Sequence, residues 1–301
     1  MAEVLTTIIV ILIIIFLGYF LKRINLLNIS DMDVLNKLVI NVALPCLVFY
    51  SLYSADLSKI TSFAVMPLIS IIVGTISGLI VFTILSLKKY SKKEKWSVIV
   101  PVVIGNTGFL GFPIVLGVFG QTALIKAIFY DIGTLIMFLS LSIILMVNFG
   151  GTIKVIVKRI LGFPPLWATI LGISFNFLNI PMGAVFEEVV GYLATATIPL
   201  IMISLGVSLR FDGIKNNLKV LGLGTVVKLL IAPTIAFILV NLLGLSGMEH
   251  TIAIVEAAMP SAMLTLVLAL NYNLDYNLAS DYVVVTTIFS LITLPIIMSI
   301  L

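Results

Sequence analysis

The sequence predicts an all-α polytopic membrane protein with ten transmembrane helices. Three observations carry this reading. First, 61% of the 301 residues are apolar and 10% are charged, whereas soluble domains run at about 45–50% apolar and about 25% charged. Mean hydropathy is +1.29. Second, the apolar residues form continuous runs close to the roughly 20 residues that span a bilayer as a helix. A β-barrel would instead show alternating segments of about ten residues. Third, the basic residues collect in short clusters between the runs. A soluble domain, a disordered chain and a nucleic-acid binder are excluded; the net charge of +4 forms no extended basic face. The single cysteine, Cys46, excludes an internal disulfide and a thiolate metal cage.

The first run covers residues 4–21 and is followed by Lys22 and Arg23. It lacks a basic leading segment and a small-residue cleavage site, so it reads as a retained helix and not a signal peptide. The runs that follow are 34–53, 63–87, 96–119, 122–149, 165–180, 189–209, 218–243, 251–270 and 282–300. Glycine and proline inside several of them are tolerated in membrane helices. Fourteen of the 17 basic residues fall on one side: Lys22, Arg23 and Lys37; Lys88, Lys89, Lys92, Lys93 and Lys95; Lys154, Lys158 and Arg159; Arg210, Lys215 and Lys219. Lys59 and Lys126 fall on the other side, and Lys228 lies inside span 8. Cytoplasmic loops are the basic ones, so both termini are expected outside a cell membrane crossed many times. The lysines between 88 and 95 act as topology determinants with anionic lipid as a contact. Trp96 and Trp167 read as interfacial anchors.

The chain aligns with itself at one offset. Leu17-Gly18 returns as Leu171-Gly172, Asn25 as Asn179, Leu44-Pro45 as Ile198-Pro199, and Asn106-Thr107 falls on Pro260-Ser261; each pair is 154 residues apart. Five spans per half is an odd number, so the second half enters from the opposite side. Such inverted repeats characterise secondary transporters, with sites near the midplane at broken helices. Residues 1–149 and 165–301 form the two halves, joined by a cytoplasmic linker at 150–164.

Spans 4 and 9 are the candidates for breaks. Gly105, Gly108, Gly111 and Pro113 crowd one depth of span 4 around Asn106 and Thr107. Each helical glycine costs about 1 kcal/mol relative to alanine, and Pro113 removes a donor and clashes one turn back. In span 9, Pro260 is followed by Ser261, which suits the start of a new helical segment.

GNTGFLGFP in span 4, EAAMPSA in span 9, KLLIAP in span 8 and the Leu44-Pro45 and Ile198-Pro199 turns together resemble the auxin efflux carrier family. Its bacterial members include malate- and malonate-permease-like proteins, and its plant members export auxin. The resemblance spans the whole chain. It implies two inverted five-helix repeats with crossing helices 4 and 9, a scaffold of spans 1, 2, 6 and 7, and an elevator-like transport domain from spans 3–5 and 8–10. It also implies that Asn106 and Pro260 are the crossover residues. The plant crossover carries a proline before the asparagine where this chain has Gly105, and the long cytoplasmic loop of many plant members is absent.

These readings converge on a secondary transporter of small organic anions: carboxylates such as malate, malonate or auxin-like acids. Asn106, Thr107, Gly108, Pro260, Ser261 and Ala262 are the expected substrate contacts, because two half-helix N-termini converging there would offer free N–H groups and positive dipole ends. Asn41, one turn before Pro45, is a further candidate. Asp131, Lys228 and Glu256 lie inside apolar runs, where a charge costs roughly 2.5–3.5 kcal/mol on insertion scales. They are expected to couple transport to a proton or to sodium, with sodium placed near Asn106 and Glu256. The alternatives are a structural ion pair with Lys228, or Lys228 holding a substrate carboxylate. Ser204 reads as packing between helices, and His250, Glu187, Glu188 and Glu249 read as residues of outer connections. No other cofactor is expected. The partners are a small carboxylate, membrane lipid and, as an open alternative, a second copy in a homodimer. A channel or uniporter is one rival function. An intramembrane aspartyl protease is the other; it would use Tyr130-Asp131 but lacks a Gly-x-Gly-Asp partner element at Asp275 or Asp281. No catalytic motif makes the chain an enzyme.

Overall fold

A computed structural model describes residues 2–57, 63–88, 90–209 and 218–301. Lys59, Lys89, Arg210 and Lys215, four of the residues used for orientation, lie outside the described residues, as does the side chain of Arg159. The described chain is helical. In order it forms α1 (Ala2–Arg23), α2 (Ile29–Leu38) leading into α3 (Leu44–Tyr53), α4 (Val65–Ser86), α5 (Lys92–Val103), α6 (Phe112–Phe119), α7 (Gln121–Phe149), α8 (Ile153–Leu161), α9 (Pro164–Phe177), α10 (Ala184–Ser208), α11 (Leu218–Val226) leading to α12 (Ala232–Leu242), α13 (Met248–Ala257), α14 (Leu264–Asn271) and α15 (Tyr276–Ile300).

Among the described residues, seven continuous helical segments are long and apolar enough to cross a membrane: α1, α2–α3, α4, α7, α10, α11–α12 and α15. The chain is therefore an all-α polytopic membrane protein. The other three expected spans are not single long helices. Span 4 divides into α5 and α6, span 9 into α13 and α14. Span 6 is the 14-residue α9, about 21 Å at 1.5 Å per residue and shorter than the roughly 30 Å hydrocarbon core. The connection at 150–164 is not a plain linker, since α8 folds within it with Lys154 and Lys158 exposed and Ile156 buried.

Proline sets the local irregularities. Three π-helical turns, Val39–Ala43, Thr107–Gly111 and Val227–Ile231, each run directly into an X-Pro pair: Leu44-Pro45, Phe112-Pro113 and Ala232-Pro233. The proline ring crowds the carbonyl four residues back. The preceding turn widens, and the N–H groups of Leu44, Phe112 and Ala232 bond five residues back, to Val39, Thr107 and Val227.

The equivalences seen in the sequence recur in three dimensions. Asn25 (φ 59°) and Asn179 (φ 51°) both take the left-handed conformation that asparagine tolerates. Their N–H groups bond to the Lys22 and Asn176 carbonyls, each at 3.1 Å. Lys22 Nζ donates to the Val207 carbonyl at 2.9 Å and to that of Leu209. At the matching place, Asn176 Nδ2 donates to the Tyr53 carbonyl at 2.6 Å and the Ala55 carbonyl at 2.8 Å. Gly18 sits against the Ile203 carbonyl and Gly172 against the Phe49 carbonyl, each too close for a Cβ. All these partners keep the 154-residue offset. The contacts pair α1 with α10 and α9 with α3, and α4 packs on α5 and α7 while α13 packs on α7 and α12.

Candidate functional site

The two divided spans meet at their breaks. After α5 the chain extends at Ile104 (φ −95°, ψ 107°), and Gly105 pairs with Ser261 in antiparallel fashion. The Asn106 N–H donates to the Pro260 carbonyl at 2.7 Å, and the Ala262 N–H donates to the Ile104 carbonyl at 3.0 Å. Ser261 Oγ donates to the Pro101 carbonyl at 2.6 Å, while its N–H bonds to Thr286 Oγ1 of α15 at 3.2 Å. Each half-helix end thus satisfies the other. This is how two broken helices remain stable among apolar surroundings, where an unpaired backbone group is costly.

That geometry shows which backbone groups of the expected substrate contacts are already paired. The N–H groups of Asn106, Ser261 and Ala262 and the carbonyl of Pro260 are taken up by hydrogen bonds at the crossing. Thr107 and Gly108 keep the first-turn N–H groups of the second half of span 4, which have no intrahelical acceptor. Asp131 already occupies that place. Thr107 Oγ1 donates to Asp131 Oδ1, and a Cβ on Gly108 would lie 3.9 Å from both Asp131 carboxylate oxygens. The anion at this helix start is the chain's own. Asn41 is not brought to the crossing: it is exposed, and its Nδ2 donates to the Lys37 carbonyl at 2.7 Å.

A small cavity adjoins the crossing, with room for roughly one water molecule at about 10 Å³. Gly105, Thr107, Tyr130, Lys228 and Glu256 line it. Glu256 is 0% exposed, and neither of its carboxylate oxygens has a hydrogen-bond partner. Gly111 leaves it space, since a Cβ there would run into the carboxylate. Lys228, 5% exposed, enters beside Gly105, where a Cβ would stand 3.1 Å from Nζ. The widened turn at Val227–Ile231 carries Lys228 inward. Lys228 and Glu256 share the cavity without closing to ion-pair distance, so the structural pair considered from sequence is not formed. An ion pair does form elsewhere, where Lys126 meets Glu249 at 3.6 Å and lies 4.6 Å from the Phe63 ring centroid. Glu249 and His250 belong to α13 and Glu187 and Glu188 to α10, not to connections. Ser204 bonds Asn36 at 2.7 Å, the helix-packing role expected.

Sequence reasoning missed Ser70, Ser77, Thr134 and Thr286. Ser70 and Thr134 share a hydrogen bond at 3.0 Å beside the cavity. The available signal was spacing: Ser70 and Ser77 repeat at seven residues on one face of span 3, and Thr134 lies one turn beyond Tyr130. Among the described residues, no group of three or more His, Cys, Asp or Glu side chains is placed to hold a metal ion.

The chain is similar to known proteins over nearly all its length. It is 41% identical over 289 residues to an uncharacterized transporter of Methanothermobacter thermautotrophicus, covering 96% of this chain and 95% of that one. It is 32% identical over 293 residues to an uncharacterized transporter of Methanocaldococcus jannaschii, covering 95% of each. It is 24% identical over 288 residues to a Rhizobium meliloti protein named "Putative malonate transporter", covering 93% of this chain and 90% of that one. The family model described as "Membrane transport protein" matches residues 3–298. With broken, crossed helices in a multi-span helical chain, and this match along its length, the protein belongs to the auxin efflux carrier-like family of membrane transport proteins.

Proposed function

We propose that the chain is a secondary transporter of small carboxylates, malonate and malate first, working by alternating access. The observation that carries this reading is the crossing of two broken helices beside a buried lysine and two carboxylates, the kind of site at which transporters bind ions and substrate together. The substrate carboxylate meets the crossing beside Asn106, with the Asn106 side-chain amide as donor and Lys228 as the nearby positive charge. The shared 154-residue offset supports two inverted five-helix halves. Spans 1, 2, 6 and 7 then form the scaffold, and the remaining spans form a body that moves against it. Hydrogen bonds that join these groups must break in such a movement, among them Gln121 Nε2 to Ser51 Oγ at 2.9 Å and Thr7 Oγ1 to the Gly117 carbonyl at 3.3 Å. The bias of basic residues supports both termini outside the cell membrane.

Uptake of labelled malonate into vesicles reconstituted with the purified protein tests the reading. Saturable uptake that accumulates against a gradient is expected. Uptake that only equilibrates and never saturates would make the protein a channel. No uptake of any carboxylate tried would remove the substrate assignment.

A further inference from the structure

We infer that the coupling cation is a proton, that Glu256 is its seat, and that Asp131 is a fixed negative charge. The inference rests on the transport reading above and decides between the two cations that the sequence left open.

The two carboxylates are built differently. Asp131 receives a hydroxyl hydrogen bond from Thr107 and sits at the start of a helical segment, where N–H groups and the dipole favour an anion. Those groups favour the ionised form of Asp131. Glu256 has none of them. It is fully buried, receives no hydrogen bond on either oxygen, and packs against the backbone of Gly111. A buried ion without partners is strongly disfavoured, whereas a neutral carboxyl is tolerated. The groups that face Glu256 are Lys228, Asp131 and Tyr130. With Lys228 protonated and both carboxylates ionised, the cluster carries one net negative charge. One proton on Glu256 makes it neutral.

This charge count links the proton to the substrate. A carboxylate arriving beside Asn106 meets the negative charge of Asp131, which holds the neighbouring helix start. It binds best when Glu256 is protonated, and by reciprocity its binding favours that protonation. The proton comes from water on one side of the membrane, forms the O–H bond of the Glu256 carboxyl, and returns to water on the other side. Sodium does not fit the same place. A hard cation is held by a shell of oxygens, yet Lys228 places its ammonium group in this cavity, and among the described residues no group of three or more His, Cys, Asp or Glu side chains is placed to hold a metal ion. A proton needs no such shell.

Infrared difference spectra of the purified protein between neutral and alkaline pH, a range in which exposed carboxyls are already ionised, test this without any substrate. A protonated-carboxyl C=O band is expected in wild type, retained in Asp131→Asn and absent in Glu256→Gln. A band kept in Glu256→Gln, or lost in Asp131→Asn with the fold intact, overturns the assignment. The second arm uses vesicles with the membrane potential clamped at zero. Wild type should accumulate malonate about tenfold per unit of imposed pH gradient for one proton per substrate, the equivalent of 1.4 kcal/mol. Glu256→Gln should lose that accumulation. Accumulation driven by sodium and indifferent to pH overturns the proposal while leaving carboxylate transport standing. The expected infrared pattern with no carboxylate moved keeps the proton seat and removes the substrate reading.

Discussion

Replacing Gly111 with alanine tests the packing on which Glu256 depends. A Cβ at Gly111 would stand 2.6 Å from Oε1 and 2.8 Å from Cδ of Glu256, with Oε2 nearer still. The carboxylate would have to turn, and the adjoining space is only about 10 Å³. Overpacking of this kind costs about 1–3 kcal/mol, while alanine for a helical glycine returns about 0.5–1 kcal/mol. Gly108 supplies the control in the same π-helical turn. A Cβ there meets the Asp131 oxygens at 3.9 Å, an ordinary contact, so Gly108→Ala keeps the helical gain without the clash. The two variants should therefore differ by about 1–3 kcal/mol, with Gly108→Ala the more stable. Thermal unfolding in one detergent at one pH reads the difference. Glu256→Ala in the Gly111→Ala background should recover part of it, because contacting residues are not additive. If Gly111→Ala is as stable as Gly108→Ala, the carboxylate does not lie against Gly111 and the reasoning fails.

Four further outcomes follow from the same geometry. Asn106→Ala should weaken malonate binding roughly 10- to 100-fold by calorimetry, since a hydrogen bond to a charged group is worth about 1.5–3 kcal/mol; unchanged affinity removes Asn106 from the site. Asn176→Ala leaves the carbonyls of Leu52, Tyr53 and Ala55 without the amide that now joins them and should lower stability by about 1–3 kcal/mol, measured by thermal unfolding. Tyr282→Phe removes a buried hydroxyl that has no hydrogen-bond partner, so the melting temperature should stay level or rise, by up to about 1 kcal/mol of stability. At the basic end, the hydroxyl of Ser91, with its backbone N–H, holds the Glu94 carboxyl below its ordinary value of 4.5. The folded form therefore gains stability above that value and loses it as pH falls further, so the stability difference between wild type and Glu94→Gln should shrink on acidification.

Much of the fold was legible because membrane helices are written in plain runs of apolar residues. The ends of those runs were less so. Span 10 begins at Tyr276 and not at 282, because Asp275 accepts the Leu278 N–H at 3.0 Å and starts the helix six residues early. The breaks in spans 4 and 9 followed from glycine and proline, and the depth at which they meet followed from the offset. What the backbone does at the breaks could not be read locally. Which N–H groups remain free depends on pairing between residues far apart, such as Asn106 with Pro260 and Ser261 with Pro101. Asp131 looked like one more charge in an apolar run. Only the packing of α7 against the Thr107–Gly111 turn puts it where a substrate anion was expected.

The offset that organises the fold also isolates its chemistry. At 154 residues' distance, Lys228 corresponds to Gly74, Glu256 to Val102 and Asp131 to Val285. Gly74 and Val102 line the same cavity as Lys228 and Glu256, so the counterparts share the place but none of the charge. The helix stops at Asn25 and Asn179, the carbonyl clamps at Lys22 and Asn176, and the glycine contacts at Gly18 and Gly172 all recur at that offset, and each of them serves packing. Lys228, Glu256 and Asp131 have no ionisable counterpart, and a buried charge does nothing for packing that an apolar residue would not do better. Glu256→Val, which makes the second half like the first, should therefore leave the protein at least as stable to heat as wild type while abolishing accumulation of malonate. Loss of folding in Glu256→Val would mean that the glutamate serves the structure, and the division between a repeated frame and an unrepeated working site would not hold.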